Sequence, residues 1–221
     1  MVGLMDRVIK HYSSLMVIET LGQYLTEARR EKIDTILDRR LNSIHIAIES
    51  PADPHNALAT VRTAEAFGIF NVHIVDSEYN GGNRASSGAN RWVNIERHGS
   101  LETLPEIPFM GAALRQSGCL YDLPIDQPFC ILFGNEHRGL SDKAIDACAH
   151  TFTIPMYGMV ESFNLSVSVA LALQHLTRKR REFLGKKGDL IETDLLKERA
   201  KCYIRTLRLD KSKMLLEHHL G

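Results

Sequence analysis

The chain has 221 residues, 44% hydrophobic and 24% charged, with 27 Lys and Arg balanced by 27 Asp and Glu. That is a globular composition with enough length for one good core plus appendages. Zero net charge argues against a uniformly basic nucleic-acid coat, and no run approaches the roughly 18 apolar residues of a membrane span. Charge at Asp6, Arg7 and Lys10 comes too early for a secretory signal, which leaves the cytoplasm as the expected location.

In chain order, the first 20 residues carry no clear pattern and are expected to be partly mobile. Residues 23–41 read as a helix, because Ile33, Ile36, Leu37 and Leu41 recur at helical spacing, with Thr26 as a cap and Asn42 as the end. Residues 43–50 alternate as a short strand, and Pro51 and Pro54 bracket a loop. A helix over 56–67 closes at Gly68, and 71–75 is the next strand. Residues 80–91 form a long Gly-rich polar loop, of the kind that is functional or disordered. Further strands are predicted at 92–95, 109–114, 130–133 and 151–154, with helices over 140–147 and 163–185 and helical pattern again over 189–216. Strands alternating with helices imply an α/β domain with a largely parallel sheet flanked by helices. Ligands bind such sheets at the carboxyl ends of the strands.

Four cysteines, Cys119, Cys130, Cys148 and Cys202, have no C-x-x-C pairing and read as free thiols. Ten histidines show no pairing such as H-E-x-x-H, so no metal is expected. Charge is distributed unevenly. Residues 43–170 hold 7 Lys and Arg against 14 Asp and Glu, whereas residues 171–221 hold 13 against 7. The ends therefore either supply a basic surface or are solvated helical faces.

Three segments place polar residues where an ordinary core has none. Pro54 to Gly68 sets Asn56 and Arg62 among Ala, Leu and Val, six residues apart and roughly on opposite helix faces. An unpaired guanidinium is costly to bury, so Arg62 either snorkels or serves a ligand. Leu132 to Ser141 puts two glycines around Glu136 after an apolar strand. Ile154 to Leu173 crowds Glu161, Ser162, Asn164 and Ser166 at the start of an apolar helix, where one cap suffices and free N–H groups favour anions.

These three segments, in this order and spacing, resemble the motifs of the SpoU branch of the SPOUT RNA methyltransferases, nearest its bacterial tRNA guanosine-2′-O-methyltransferases. Arg29 to Asp34 before the first strand and Ser87 to Val93 in the glycine loop add to the likeness, which covers roughly residues 25–185. The resemblance implies a C-terminal deep trefoil knot, S-adenosylmethionine as cofactor, a homodimer with shared active sites, and a tRNA ribose as substrate. It implies catalytic roles for Asn56, Arg62, Glu136, Ser162 and Asn164, and a cofactor pocket at Ala112, Phe133, Gly134, Ile154, Met156 and Phe163. Arg29, Arg30, Arg84, Arg91, Arg178 and Lys179 are the expected RNA contacts, although Arg178 and Lys179 also suit a solvated helix end. The domains implied are a helical extension at 1–42, the methyltransferase at 43–185 and a basic helical extension at 186–221. The target expected is the D-loop guanosine at tRNA position 18. Ribosomal RNA, the tRNA wobble ribose, and RNA binding without catalysis are the alternatives.

Overall fold

The computed structural model of the protein describes residues 2–76, 88–114 and 118–220. Its elements run α1 (Val2–Tyr12), α2 (Ser14–Gly22), α3 (Glu27–Leu37), β1 (Ile44–Glu49), α4 (Pro54–Phe67), β2 (Asn71–Val75) and β3 (Asn94–His98). There follow β4 (Phe109–Ala112), β5 (Phe129–Phe133), α5 (Asp142–Asp146), β6 (His150–Phe152), α6 (Leu165–Leu184), α7 (Glu192–Leu207) and α8 (Leu209–Leu220). They divide into two units, residues 41–186 and residues 1–40 with 187–221.

In the first unit the six strands form one parallel sheet in the order β3-β2-β1-β5-β4-β6. β5 is buried along its whole length, because a parallel strand covered on both faces has no polar side. On one face Ile44, Ile46 and Ile48 pack with Ala57, Val61 and Ala64 of α4 and with Val169, Leu173 and Leu176 of α6. Each fully buried aliphatic side chain contributes about 1.5–3 kcal/mol. The other face has a smaller core, in which Ala47, Cys130 and Leu132 meet Leu140 and Ala144.

The alternation in β1 reads as a half-buried strand, yet β1 is paired on both sides, by β2 and β5. Its polar positions are accounted for differently: His45 joins a row of imidazoles on the second sheet face, hydrogen-bonded to His73 at 2.9 Å. Burial, then the neighbouring His45 and His98, push the His73 imidazole down to about 3.

Some boundaries differ from the sequence reading. α4 starts at Pro54 with Asp53 as its cap, so Asn56 lies inside the helix rather than at its opening. The third strand begins at Asn94, after a turn of 3-10 helix that ends at Arg91. The segment before Thr26 is two helices, and Met5, Val8, Ile9, Val17 and Leu21 are buried, which corrects the expectation of a mobile terminus. Their partners are Ala200, Tyr203, Ile204 and Leu216 from the other end of the chain, a pairing no local pattern displays. In this second unit several basic residues are paired internally: Lys197 and Lys201 with Asp6, Arg199 with Asp34, Arg205 with Glu198. All four cysteines are free, and burial raises the thiols of Cys130 and Cys148, the latter to about 11.

Candidate active site

The strand order reverses direction between β1 and β5: the chain runs outward from β1 through β2 to β3, then resumes on β1's other side. Such a switch point opens a crevice at the strands' carboxyl ends. Two loops border it here, Ser50 to Asp53 after β1 and Gly134 to Leu140 after β5. Ser50 has a positive φ of 45°, uncommon for a serine, and its hydroxyl donates to the Asp76 carbonyl at 2.8 Å. The second loop closes on itself through Asn135 N–H to the Gly139 carbonyl at 3.0 Å and Gly139 N–H to the Asn135 carbonyl at 2.8 Å. Gly139 has a φ of +72°, the left-handed region that favours glycine.

Glu136 stands at the crest of this loop and crosses to the other. Its carboxylate accepts from Ala52 N–H at 2.7 Å, Asp53 N–H at 3.3 Å and the Asn56 side-chain amide at 3.0 Å. Asn56 in turn accepts from the Asn164 amide at 3.0 Å. Asn164 caps α6, its side-chain oxygen accepting from Ser166 N–H at 2.9 Å and from the Ser166 hydroxyl at 2.7 Å. One hydrogen-bonded chain, Glu136 to Asn56 to Asn164 to Ser166, thus joins the three polar segments that the sequence singles out.

The structure does not bring every expected residue into that chain. Arg62 is exposed, and it has no hydrogen bond or ion pair among the described residues. Ser162 is exposed and stands outside the network. The polar surplus at the start of α6 resolves into one cap, one hydroxyl that donates to it, and two exposed residues, Glu161 and Ser162. Sequence reasoning missed Asn135, whose amide donates to the Ser50 carbonyl at 2.7 Å while its oxygen accepts from His137 and Arg138 N–H. An Asn between Gly134 and a run of polar residues is a turn signal of the kind that could have revealed it. Glu49 was also missed; it accepts from the N–H and hydroxyl of Ser141, the cap of α5.

Of the expected cofactor residues, Ala112, Phe133 and Gly134 lie at the ends of β4 and β5, while Ile154 and Met156 follow β6 in the chain. Ala112 is in register with Phe133 on one side and Phe152 on the other. From Ile154 to Val160 the backbone makes no hydrogen bond among the described residues, although Ile154, Pro155 and Met156 are half-buried. Half-buried backbone groups of this kind need partners, and the apolar side chains around them suit a flat heteroaromatic ring. Phe163 is 37% exposed at the end of the same loop. This donor set fits an adenosyl group.

Of the expected RNA contacts, Arg84 lies outside the described residues. Arg91 is exposed beside Trp92, its guanidinium 5.5 Å from the ring centre. Arg178 pairs with Glu182 at 2.6 Å, and Lys179 donates to the Tyr121 carbonyl at 2.7 Å. Arg29 and Arg30 are exposed on α3, in the other unit.

Partial burial raises the Glu136 carboxyl, but the hydrogen bonds from Ala52, Asn56 and Asp53 outweigh it and hold it below the ordinary 4.5. A carboxyl lowered by folding stabilises the native state above its ordinary value, and that contribution is lost as pH falls through the lowered one. Glu136→Gln puts an amide donor against backbone donors, so it is expected to cost about 1 kcal/mol at pH 7 after solvent screening. Thermal melts across pH check this: the gap between the two proteins should close in acid, and a gap constant with pH would remove the charge from the explanation.

The SpoU rRNA Methylase family matches residues 43–174. The tRNA (guanosine(18)-2'-O)-methyltransferase of Thermus thermophilus is 34% identical over 166 residues, covering 70% of this chain and 84% of the relative. The Escherichia coli enzyme of the same name is 31% identical, covering 71% and 72%. Among solved structures, the Aquifex aeolicus TrmH/SpoU tRNA modifying enzyme superposes with a TM-score of 0.67 at 25% identity, over 79% of this chain and 95% of that one. A chain solved in work on 2-OH methylation of C/U34 on tRNA superposes at 0.56 with 28% identity, over 65% of this chain and 97% of that one.

Proposed function

The chain belongs to the SpoU rRNA methylase family, and on that premise we propose that it methylates the ribose 2′-hydroxyl of guanosine 18 in tRNA, using S-adenosylmethionine. The observation that carries the reading is the Glu136–Asn56–Asn164 chain, which ties three distant segments together at the carboxyl edge of the sheet. Guanosine 18 is favoured over the wobble ribose because the Thermus thermophilus and Escherichia coli relatives, at 34% and 31% identity, carry that name. Ribosomal RNA and RNA binding without catalysis are weaker readings.

Ala112, Phe133, Gly134, Ile154, Met156 and Phe163 hold the cofactor. S-adenosylmethionine, when bound, supplies a methyl group already activated by its sulfonium. The protein's part is to align the ribose and to favour loss of its proton. Glu136 fixes Asn56, and Asn56 fixes Asn164, so two amides stand rigidly at the rim of the site; Ser162 completes the ribose contacts. Arg62 stabilises the alkoxide developing at the 2′-oxygen. A guanidinium is a poor base, so an RNA phosphate or water takes the proton.

The active protein is a homodimer in this reading. Support comes from Tyr157, Met159, Val160, Phe163, Val167 and Leu171, large apolar side chains exposed along one continuous segment. Arg62, exposed and outside its own chain's network, suits a site completed by a second copy. The trefoil knot belongs to the same reading; its support is that β6 lies outside β4 and the chain then returns to pack α6 on α4. Arg29, Arg30 and Arg91 are the exposed cations for RNA phosphates, joined by Arg84 and, after exchange of their present partners, by Arg178 and Lys179. In the same reading the methyltransferase domain spans 43–185, with helical extensions at 1–42 and 186–221. No helix among the described residues is long and apolar enough to cross a membrane, and we place the protein in the cytoplasm with its tRNA.

Incubation with methyl-labelled S-adenosylmethionine and unmodified tRNA transcripts tests the reading. Label is expected on one D-loop ribose. Label on ribosomal RNA alone would keep the chemistry and move the substrate, and no label on any RNA would overturn the enzymatic reading.

A further inference from the structure

The row of imidazoles on β1, β2 and β3 has no part in the site just described. His73 stands in register with Ala47 on one side and Glu96 on the other, and His98 follows Glu96 by two residues. All therefore share one face of the sheet. His45 Nδ1 lies 2.9 Å from His73 Nε2, and His73 Nδ1 lies 2.9 Å from His98 Nε2.

Both ends of the row are fixed by carbonyls, which only accept. His45 Nε2 lies 3.1 Å from the Asn42 carbonyl, so the proton of His45 belongs on Nε2 and its Nδ1 offers a lone pair. Asn71 Nδ2 is also 3.3 Å from His45 Nε2, but accepting from it would set the ring lone pair against the nearer carbonyl. His73 must then donate from Nε2. At the far end the Thr103 hydroxyl donates to the Ser100 carbonyl at 2.8 Å, which leaves its oxygen to accept from His98 Nδ1 at 3.0 Å. His73 Nδ1 and His98 Nε2 are thereby left as two lone pairs facing each other. Glu96 makes the third corner, its carboxylate 3.6 Å from His73 Nδ1 and 3.9 Å from His98 Nε2. Three acceptors converge, and among the described residues no other group donates to them.

We propose that His73, Glu96 and His98 bind a zinc ion. All three ligand atoms lie within 4.8 Å of one another. Their separations of 2.9, 3.6 and 3.9 Å bracket the edge of about 3.3 Å in a tetrahedron with zinc bonds of roughly 2.0–2.1 Å. Two imidazoles and a carboxylate are a donor set zinc favours. Both rings already donate their other N–H inward, His73 to His45 and His98 to Thr103, which is the support that orients metal-bound histidines. His73 is buried while Glu96 is exposed, so the fourth position opens to water. The ion would clamp β3, the edge strand, onto β2. Sequence spacing hides the site because its ligands come from paired parallel strands instead of one helix.

The test uses the full chain, stripped of metal with a chelator and titrated with Zn²⁺ by calorimetry and with Co²⁺ by visible absorption. One ion per chain is expected, with the d–d bands of tetrahedral Co²⁺. Glu96→Gln and His98→Asn should each weaken binding at least about 10-fold, since loss of a group that merely supports a ligand already costs that much. His218→Ala with His219→Ala should leave it unchanged, separating the site from the terminal histidines. Glu96 is exposed, so its variant folds, as circular dichroism would verify. Absence of saturable binding, or binding undiminished in both ligand variants, would overturn the proposal.

Discussion

Arg62→Ala is expected to lower methyl transfer to tRNA by about 100- to 10,000-fold while leaving S-adenosylmethionine affinity within about twofold. The split follows from where the side chain stands. Arg62 is exposed on α4 and unpaired among the described residues, so its removal exposes no orphaned partner and should change stability by less than about 0.5 kcal/mol. Asn56, six residues earlier on the helix, differs: it holds both Glu136 and Asn164, and truncating it frees two polar groups at once. A fall in turnover without a change in melting temperature is therefore specific to Arg62. Lys at the same position should recover little, because an ammonium lacks the planar fork of the guanidinium.

Mixing adds a second reading of the same residue. If two copies complete each site, a dimer of one Arg62→Ala chain and one Asn164→Ala chain holds one intact site when the two residues act across the interface. It holds none when they act within one chain. Recovery of activity on mixing would place Arg62 opposite the other copy's Asn164. Unchanged turnover in the single variant would remove Arg62 from the mechanism altogether.

The sheet was largely legible in the sequence because a parallel strand buried on both faces is a short apolar run, as in Phe129–Phe133, and punctuation by Gly68 and Gly185 ends the helices cleanly. The strand order was not, since β5 inserts between β1 and β4 by contacts that no local pattern records. The site residues stood out as polar intrusions in apolar runs, but their connections did not. Glu136 meets Asn56 from 80 residues away and Asn164 meets Asn56 from 108. The pairing of the terminal helices was illegible for a related reason: α1 and α2 bury their apolar residues against α7 and α8, at the opposite end of the chain. The charge count shows a basic tail, yet four of its 13 cations, Lys197, Arg199, Lys201 and Arg205, pair with Asp6, Asp34 and Glu198.

Gly134→Ala should abolish methyl transfer and cost about 3 kcal/mol or more, the upper range of overpacking. The reason is space, not backbone angle. A Cβ at this position would lie 2.1 Å from the Gly139 carbonyl carbon and 2.1 Å from Leu140 N, both backbone atoms that no rotamer change can move. The 135–139 loop, held by its two mutual hydrogen bonds, would have to open. Opening it withdraws Asn135 from the Ser50 carbonyl and Glu136 from the Ala52 and Asp53 N–H groups, so the rim of the site loses both of its ties to the loop after β1. For a chain of this size the melting temperature should fall by roughly 6–12 °C. Gly139→Asn is the matched control: its Cβ meets nothing within 4 Å, and Asn tolerates a φ of +72°, so a cost below about 1 kcal/mol is expected. Melting of Gly134→Ala at the wild-type temperature would mean that the loop does not approach the end of β5 as closely as described, and the account of Glu136 as the anchor of the site would fall with it.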